Sequence, residues 1–420
     1  MDLRARYAMP TDEHGDPVVE LRAFTHGLMP KSVPAMMERF CRDWRERGVD
    51  AWNAVDTRWQ RGDADEDGGP ETGWWRLPEL LGDRFVAPLL DAPPGTCLWQ
   101  PSVHHAVQCL LSSPEVLAEH RRKVVVTENA FPSVFHSVQR WQDLLGLSLT
   151  VVPAGPRGFV DREAVLDALG PETALAALSH VGFTTGERLP GAFLEEVAAR
   201  THEAGGLFVL DGYHAAASMP VRVRELDADL YLGGLLKEGS GSAGNAFVYL
   251  RDGLELTPRL TGWFGDAEPF AFRQAPEPHP DVRRRFLGGT TPVASMYHAV
   301  EGVKILLDAG LDAVREDALA KTTRGIARAD AAGLSLRSPR ERRRRGAMLI
   351  LEVEAADRLC AWLKRRGVYT DSRQGRFLRM APFVWNTEAE VDHAFDLIEE
   401  ATRTGAHCEA PLPDAGGPVT

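Results

Sequence analysis

The chain has 420 residues, of which 44% are hydrophobic and 26% charged, enough for one large domain and a smaller one with ample buried core. Its net charge of −12, from 48 Lys and Arg against 60 Asp and Glu, argues against the basic face that nonspecific nucleic-acid binding requires. No apolar run approaches the roughly 20 residues needed to cross a bilayer, and "MDLRARYAMPTDEHGD" lacks an apolar signal core, so the expected location is the cytoplasm.

Residues 17–60 read as an arm followed by a helix, because "SVPAMMERFCRDWRERG" repeats apolar positions at helical spacing. Next comes "RGDADEDGGPETG", whose Asp63, Asp65, Asp67 and Gly68 imitate the start of a calcium loop. The twelfth position, where a bidentate Glu is required, is Trp74, so calcium is rejected. From 76 to 295, "KVVVTE", "LSLTVVP", "ALAALS", "GLFVLD", "DLYLGG" and "NAFVYL" read as strands, with helices such as "GAFLEEVAARTHEAGG" between several of them. Near-continuous apolar strands alternating with helices predict an α/β fold with a mainly parallel sheet covered on both faces. The link "LKEGSGSAGN" is too short for a crossover, so the last two strands should be antiparallel.

The long helix "SMYHAVEGVKILLDAG" then opens an α+β segment with strands "AMLILEV" and "RFLRMAP", a final helix, and a tail "EAPLPDAGGPVT" expected to be mobile. The division this gives is 1–60 as arm and helix packing with the small domain, 61–295 as the large cofactor-binding domain and 296–420 as the small domain. "RERRRRG" at 340–346 reads as a solvated basic face, or else as an entrance attracting anionic substrates. Cys41, Cys97, Cys109, Cys360 and Cys408 have no CxxC spacing, so neither a disulfide framework nor a zinc site is expected. His104 and His105 are adjacent and no HExxH occurs, so a metallohydrolase is not expected either.

Only six of the 48 basic residues are lysines. Lys237, between the apolar run "DLYLGGLL" and "EGSGSAG", therefore asks for a chemical role, since an amine can act as a nucleophile and a guanidinium stays protonated. Ligands of open α/β sheets sit at the carboxyl ends of strands. Asp211 ends "GLFVLD", with Tyr213 and His214 just beyond it, and Lys237 follows the next strand. In "LWQPSVHHAVQCLL" a helix should begin at about Val103 with Ser102 as N-cap, leaving free amides suited to a phosphate. A lysine for a Schiff base, an aspartate for a pyridinium nitrogen and a helix N-terminus for a phosphate together describe a site for pyridoxal 5′-phosphate (PLP).

Seven motifs in order, "HGLMPKSV", "AFPSV", "LSHVGFTTGE", "LDGYHAAASMPV", "LLKEGSGSAG", "LTGWFG" and "FLRMAPFVWN", make the chain resemble the kynureninases, in the class V aminotransferase group of fold type I PLP enzymes. The resemblance spans nearly the whole chain and implies a seven-stranded sheet, a smaller C-terminal domain and a homodimer with shared active sites. It implies that Lys237 carries the cofactor and moves protons, that Asp211 binds the pyridine nitrogen, and that Phe131 stacks on the ring with His214 and Ser179 beside it. Pro101 and Ser102 would face the phosphate, and Trp263 would reach it or the substrate pocket from a neighbouring subunit. Arg379 would clamp the substrate α-carboxylate, for which a bidentate guanidinium is suited, and Thr25 and Trp52 would line the substrate side.

The pocket departs from the family. The tyrosine before the lysine is Leu236, the "FPSD" aspartate is Val134, a pocket histidine is Trp52, and a substrate-contacting asparagine is Thr290, which belongs to the cofactor site if "FLGGTTP" acts as a phosphate loop. The leading expectation is cleavage at the β-carbon of an L-amino acid with a bulky side chain, by C–C hydrolysis or C–S lysis, with Tyr213 replacing the missing hydroxyl. An altered pocket of this kind suits specialised metabolism. The alternative is a class V aminotransferase or decarboxylating oxidative deaminase, and a third reading is a noncatalytic dimeric binding protein.

Overall fold

A computed structural model describes residues 3–55, 73–118 and 120–411. The acidic stretch read against a calcium loop lies outside the described residues apart from Gly73 and Trp74, as does the tail from 412 onward. The two-residue strand β1 (Val19–Glu20) belongs to the arm. The six apolar runs expected as strands form β3 (Lys123–Thr127), β4 (Ser148–Val152), β5 (Thr173–Ser179), β6 (Leu207–Asp211), β7 (Leu230–Gly234) and β8 (Ala246–Leu250). A further strand, β2 (Cys97–Gln100), pairs antiparallel with β8 and completes a seven-stranded sheet of order β2-β8-β7-β6-β5-β3-β4. β3 to β7 are mutually parallel, while β8 runs against β7, as the short link requires.

Alternate residues of these strands feed two apolar layers, because strand side chains point to opposite faces in turn. Phe208, Leu210 and Tyr231 pack with Phe193, Leu194 and Val197 of the helix Gly191–Glu203. Val209, Leu230 and Leu232 instead meet Ala106 and Leu110 of the helix Val103–Leu111, and Val134 and Val138 of the helix Pro132–Leu145. Both faces are covered, and the strand ends are left as the open edge of the layer.

The C-terminal segment folds around a second sheet of order β12-β13-β10-β9, comprising β9 (Ser335–Leu336), β10 (Leu349–Glu352), β12 (Asp371–Arg373) and β13 (Phe377–Met380). The arm joins it: β1 pairs with β11 (Val368–Tyr369), and Arg22 bridges to Ala381. The helix Val293–Ala309 contributes Met296, Tyr297 and Val300 to the large core, and Ile305 and Leu306 to a cluster with arm residues Tyr7 and Phe24. We propose this helix as the joint between the two domains.

The basic run corrects one expectation. Arg345 is not a solvated side chain: it is 0% exposed, and its guanidinium donates to the carbonyls of Pro339 and Arg340 and to the Thr322 and Thr323 hydroxyls. Arg344 pairs with the buried Glu187, while Arg342 and Arg343 pair with Glu316 and Glu341 near the surface. The solvated-face reading therefore holds for Arg340, Arg342 and Arg343, which are exposed, and fails for Arg345.

The helix Val33–Arg47 carries one buried acid, Asp43, on its inner face. Asp43 Oδ2 accepts from the Tyr297 hydroxyl at 2.8 Å, and that hydroxyl accepts from Trp74 Nε1 at 2.9 Å. Removing the bridging oxygen strands two buried polar groups at the cost of their desolvation. Tyr297→Phe should lower unfolding free energy by about 1–3 kcal/mol in urea titration; an unchanged midpoint would show that this chain of bonds does not hold the helix in place.

Candidate active site

Asp211 and Lys237 reach one place because β6 and β7 are adjacent and parallel. Asp211 is the last residue of β6, opposite Leu232, and Lys237 lies three residues past the end of β7. Ser179 ends β5 in register with Asp211. The turn behind Lys237 is tight: the Ser240 amide donates to the Lys237 carbonyl at 2.9 Å, and Ser240 and Ser242 take left-handed φ of 52° and 57°.

Lys237 Nζ is 2.9 Å from His214 Nε2, 4.5 Å from the centre of the Tyr213 ring and 5.8 Å from that of Phe131. Burial lowers the affinity of the Lys237 amine for its proton, against the opposing pull of Glu238 and Asp211. Burial, then the charges of Lys237 and Arg379, hold His214 well below the usual histidine range, so its ring is neutral. The Asp211 carboxyl is pushed up by burial, although the Tyr213 amide donates to it at 2.9 Å and Lys237 opposes the rise. An acid so placed gains from a cationic partner. Tyr213 crosses over Gly234, where any Cβ would overlap its ring, and burial raises its phenol, opposed by a hydrogen bond from the Leu236 backbone.

Behind Asp211 lies a pair that sequence reasoning missed. His180 donates its backbone N–H to the Asp211 carbonyl at 2.8 Å, and its Nδ1 is 3.0 Å from the Tyr231 hydroxyl. Burial drives His180 down to about 3, so this support is uncharged. The Tyr231 ring lies against Gly212, which has no room for a side chain.

Arg379 sits on β13, inside the second sheet rather than at its edge, and is 3% exposed. It pairs with Asp371, donates from Nη1 to the Phe183 carbonyl at 3.0 Å and keeps Nε without a hydrogen-bond partner. Arg373 also pairs with Asp371, and Thr25 Oγ1 donates to it at 3.3 Å. Phe183 meets Arg379 on one side and the Phe131 ring, at 5.5 Å, on the other. A continuous set of contacts thus joins Lys237, Phe131, Phe183, Arg379 and Thr25. Asp371 and Phe183 were invisible to sequence reasoning, though "YTDSR" places an acid and an arginine within ten residues of Arg379.

The helix Val103–Leu111 begins as expected, with Ser102 Oγ accepting from the His105 amide at 3.1 Å. The first amides of that helix have no intrahelical acceptor and can meet an anion. Pro101 and Ser102 are exposed. Thr290, exposed in the loop 286–291, neighbours a glycine at which a Cβ would lie 3.8 Å from Trp263 Nε1, and the equivalent atom at Gly288 would lie 3.8 Å from His105 Nε2. Trp52 is not brought to Lys237: it packs edge-on against Trp74 and Phe264, with ring centres 5.7 and 6.5 Å away, and no contact among the described residues links it to the lysine.

A half-buried amine, a half-buried carboxylate at the neighbouring strand end and a helix N-terminus on the same sheet form a donor set that fits PLP. The chain matches the aminotransferase class V family over residues 86–375 and belongs to that family of PLP-dependent enzymes. Within it the chain is a kynureninase-like member. It is 30% identical over 390 residues to a kynureninase of Burkholderia pseudomallei (strain 1106a), covering 90% of this chain and 86% of that protein. It is 27% identical over 413 residues to a kynureninase of Pseudomonas fluorescens, covering 95% and 91%. In fold it is similar to a cysteine desulfurase from Thermococcus onnurineus NA1, with TM-score 0.75 and 18% identity over 92% of this chain and 95% of the other. It is also similar to the cystine C-S lyase C-DES in complex with cysteine persulfide, with TM-score 0.74 and 17% identity over 91% and 97%.

The arm touches the site through Gly27, whose amide donates to the Leu236 carbonyl at 3.0 Å and whose α-carbon faces the Lys237 carbonyl so closely that a Cβ would overlap it. Backbone on both sides leaves little room to yield. Gly27→Ala should cost about 1–3 kcal/mol and expose the arm to limited proteolysis; wild-type stability and cleavage pattern would contradict this close docking.

Proposed function

We propose that this enzyme binds an L-amino acid with a bulky side chain and breaks a bond at its β-carbon, by C–C hydrolysis or C–S lysis. The reading is carried by the contact path from Lys237 through Phe131 and Phe183 to Arg379, which links a half-buried amine to a buried guanidinium. PLP, when bound, supplies an electron sink for negative charge that develops on the substrate α-carbon. Lys237 would hold it covalently, Asp211 would face its ring nitrogen, and Phe131, His214 and Ser179 would flank the ring. Ser102, Pro101 and the first amides of the helix Val103–Leu111 would take its phosphate, together with Thr290 and Trp263.

The remaining work falls to the protein's own groups. Arg379 has an unpartnered Nε–H for the substrate carboxylate, and Asp371 with Thr25 fixes its plane. Lys237 and His214, in hydrogen-bond contact, move a proton at the α-carbon. Tyr213 supports the choice of β-carbon chemistry: its ring lies 4.5 Å from Lys237 Nζ and its hydroxyl end lies over Gly234, two residues before Leu236, the position at which the resembling family carries a hydroxyl. The similarity to kynureninases and to a C-S lyase supports the same bond position.

A homodimer is part of this proposal, because Trp263, Phe270 and Phe272 form an exposed aromatic cluster at 43%, 60% and 74% exposure. Clustered exposed aromatic side chains of this kind suit an interaction surface. The five free cysteines suit a reducing cytoplasm. No helix among the described residues is long and apolar enough to cross a membrane.

Incubation of the holoenzyme with kynurenine and with S-substituted cysteines should release alanine or pyruvate. Formation of keto acid or aldehyde alone would replace this reading with transamination or oxidative decarboxylation. Arg379→Ala should raise KM about 10- to 100-fold through loss of a charge-assisted contact; an unchanged KM would remove Arg379 from the carboxylate site.

A further inference from the structure

The residue after Lys237 is a buried acid that none of these roles uses. Glu238 is 2% exposed, and its Oε1 has no hydrogen-bond partner. His214 Nδ1 is also buried without a partner and lies 4.0 Å from that oxygen. The opposite ring nitrogen, Nε2, is 2.9 Å from Lys237 Nζ. The imidazole therefore stands between an amine and a carboxylate. Leaving a buried polar atom unsatisfied costs about 1–3 kcal/mol, and here two such atoms face each other.

We propose that Glu238 is a positioning residue for His214, and that Lys237, His214 and Glu238 form a relay holding one exchangeable proton beside the lysine nitrogen. The relay rests on the reading of Lys237 as the cofactor lysine. A carboxylate facing Nδ1 selects the tautomer with hydrogen on Nδ1 and leaves Nε2 free to accept from Lys237. When Lys237 gives up a proton, an N–H bond at Nζ breaks and one forms at Nε2. The Nδ1–H bond then breaks and an O–H bond forms at Glu238 Oε1, after a side-chain rotation that closes the 4.0 Å gap. The reverse sequence returns it, so no proton leaves the site.

The electrostatics of the surroundings agree with this geometry. Burial raises the Glu238 carboxyl, opposed by Lys237, so the acid is poised to accept a proton whenever the lysine charge is lost. Tyr213 faces Lys237 with its ring and Asp211 reaches it from β6, while Arg379 and Arg373 act on it from the second sheet. Burial lowers Lys237 and Glu238 pulls it back up, so removing the carboxylate lowers the amine further.

The test compares wild type, Glu238→Gln and Glu238→Asp as cofactor-free protein mixed with PLP across neutral and alkaline pH. Capture is followed by visible absorbance and by borohydride reduction with mass spectrometry. In Glu238→Gln the midpoint of capture should fall by about one pH unit or more, and Glu238→Asp should restore it. Nitrogen NMR of wild-type His214 should show hydrogen on Nδ1, a readout that stands even if the Gln variant fails to fold. An identical midpoint in folded Glu238→Gln, or hydrogen on Nε2 in the wild type, overturns the relay. A merely structural Glu238 would lower Tm without moving the midpoint. Absence of alanine and pyruvate with the midpoint shift intact would defeat the bond-cleavage reading and leave the relay standing.

Discussion

Everything in this site depends on burying one lysine amine among groups that compete for its proton. The half-buried Nζ lies beside the rings of Tyr213 and Phe131, and its near neighbours are an imidazole and two acids, Asp211 and Glu238. Removal of hydration lowers the amine while the acids pull it back, so the nitrogen can be either protonated or free at little cost. That balance requires two parallel strands in register, a tight turn with serines in left-handed backbone, and a glycine from the arm against the lysine carbonyl. The fold's long-range arrangement is thus focused on a few ångströms around Lys237.

Much of this arrangement was legible in the sequence because it is written in local patterns. Six strands were readable as short apolar runs, and the antiparallel turn of β8 followed from a link too short for a crossover. Lys237, Asp211 and Ser102 were readable because strand ends and helix caps fix where side chains go. β2 was not, since "CLWQ" is four residues long and its pairing with β8 joins segments about 150 residues apart. The same holds for Asp371 and Phe183, whose roles arise only when the second sheet meets the first. Arg345 was misread for a related reason: a run of arginines looks solvated until the backbone carbonyls that surround one of them are known. Trp52 was drawn into an aromatic core that sequence spacing does not reveal.

The departures from the resembling family form a coherent set in space. Leucine at 236 removes a hydroxyl, while Gly234 makes room for the ring of Tyr213, which lies beside the lysine. Next to the lysine, Glu238 adds an acid facing the far side of His214. Under the proposed relay, Tyr213 and Glu238 are the groups beside the lysine that would handle protons, while Asp211 and Arg379 keep the ends of the site.

The measurement that bears most directly on this account is the location of the cofactor. Reduction of the PLP-loaded enzyme with borohydride, followed by digestion and peptide mass mapping, should find a single adduct, on Lys237. An adduct on any other of the six lysines, or none at all, would contradict the placement of the active centre at the ends of β6 and β7.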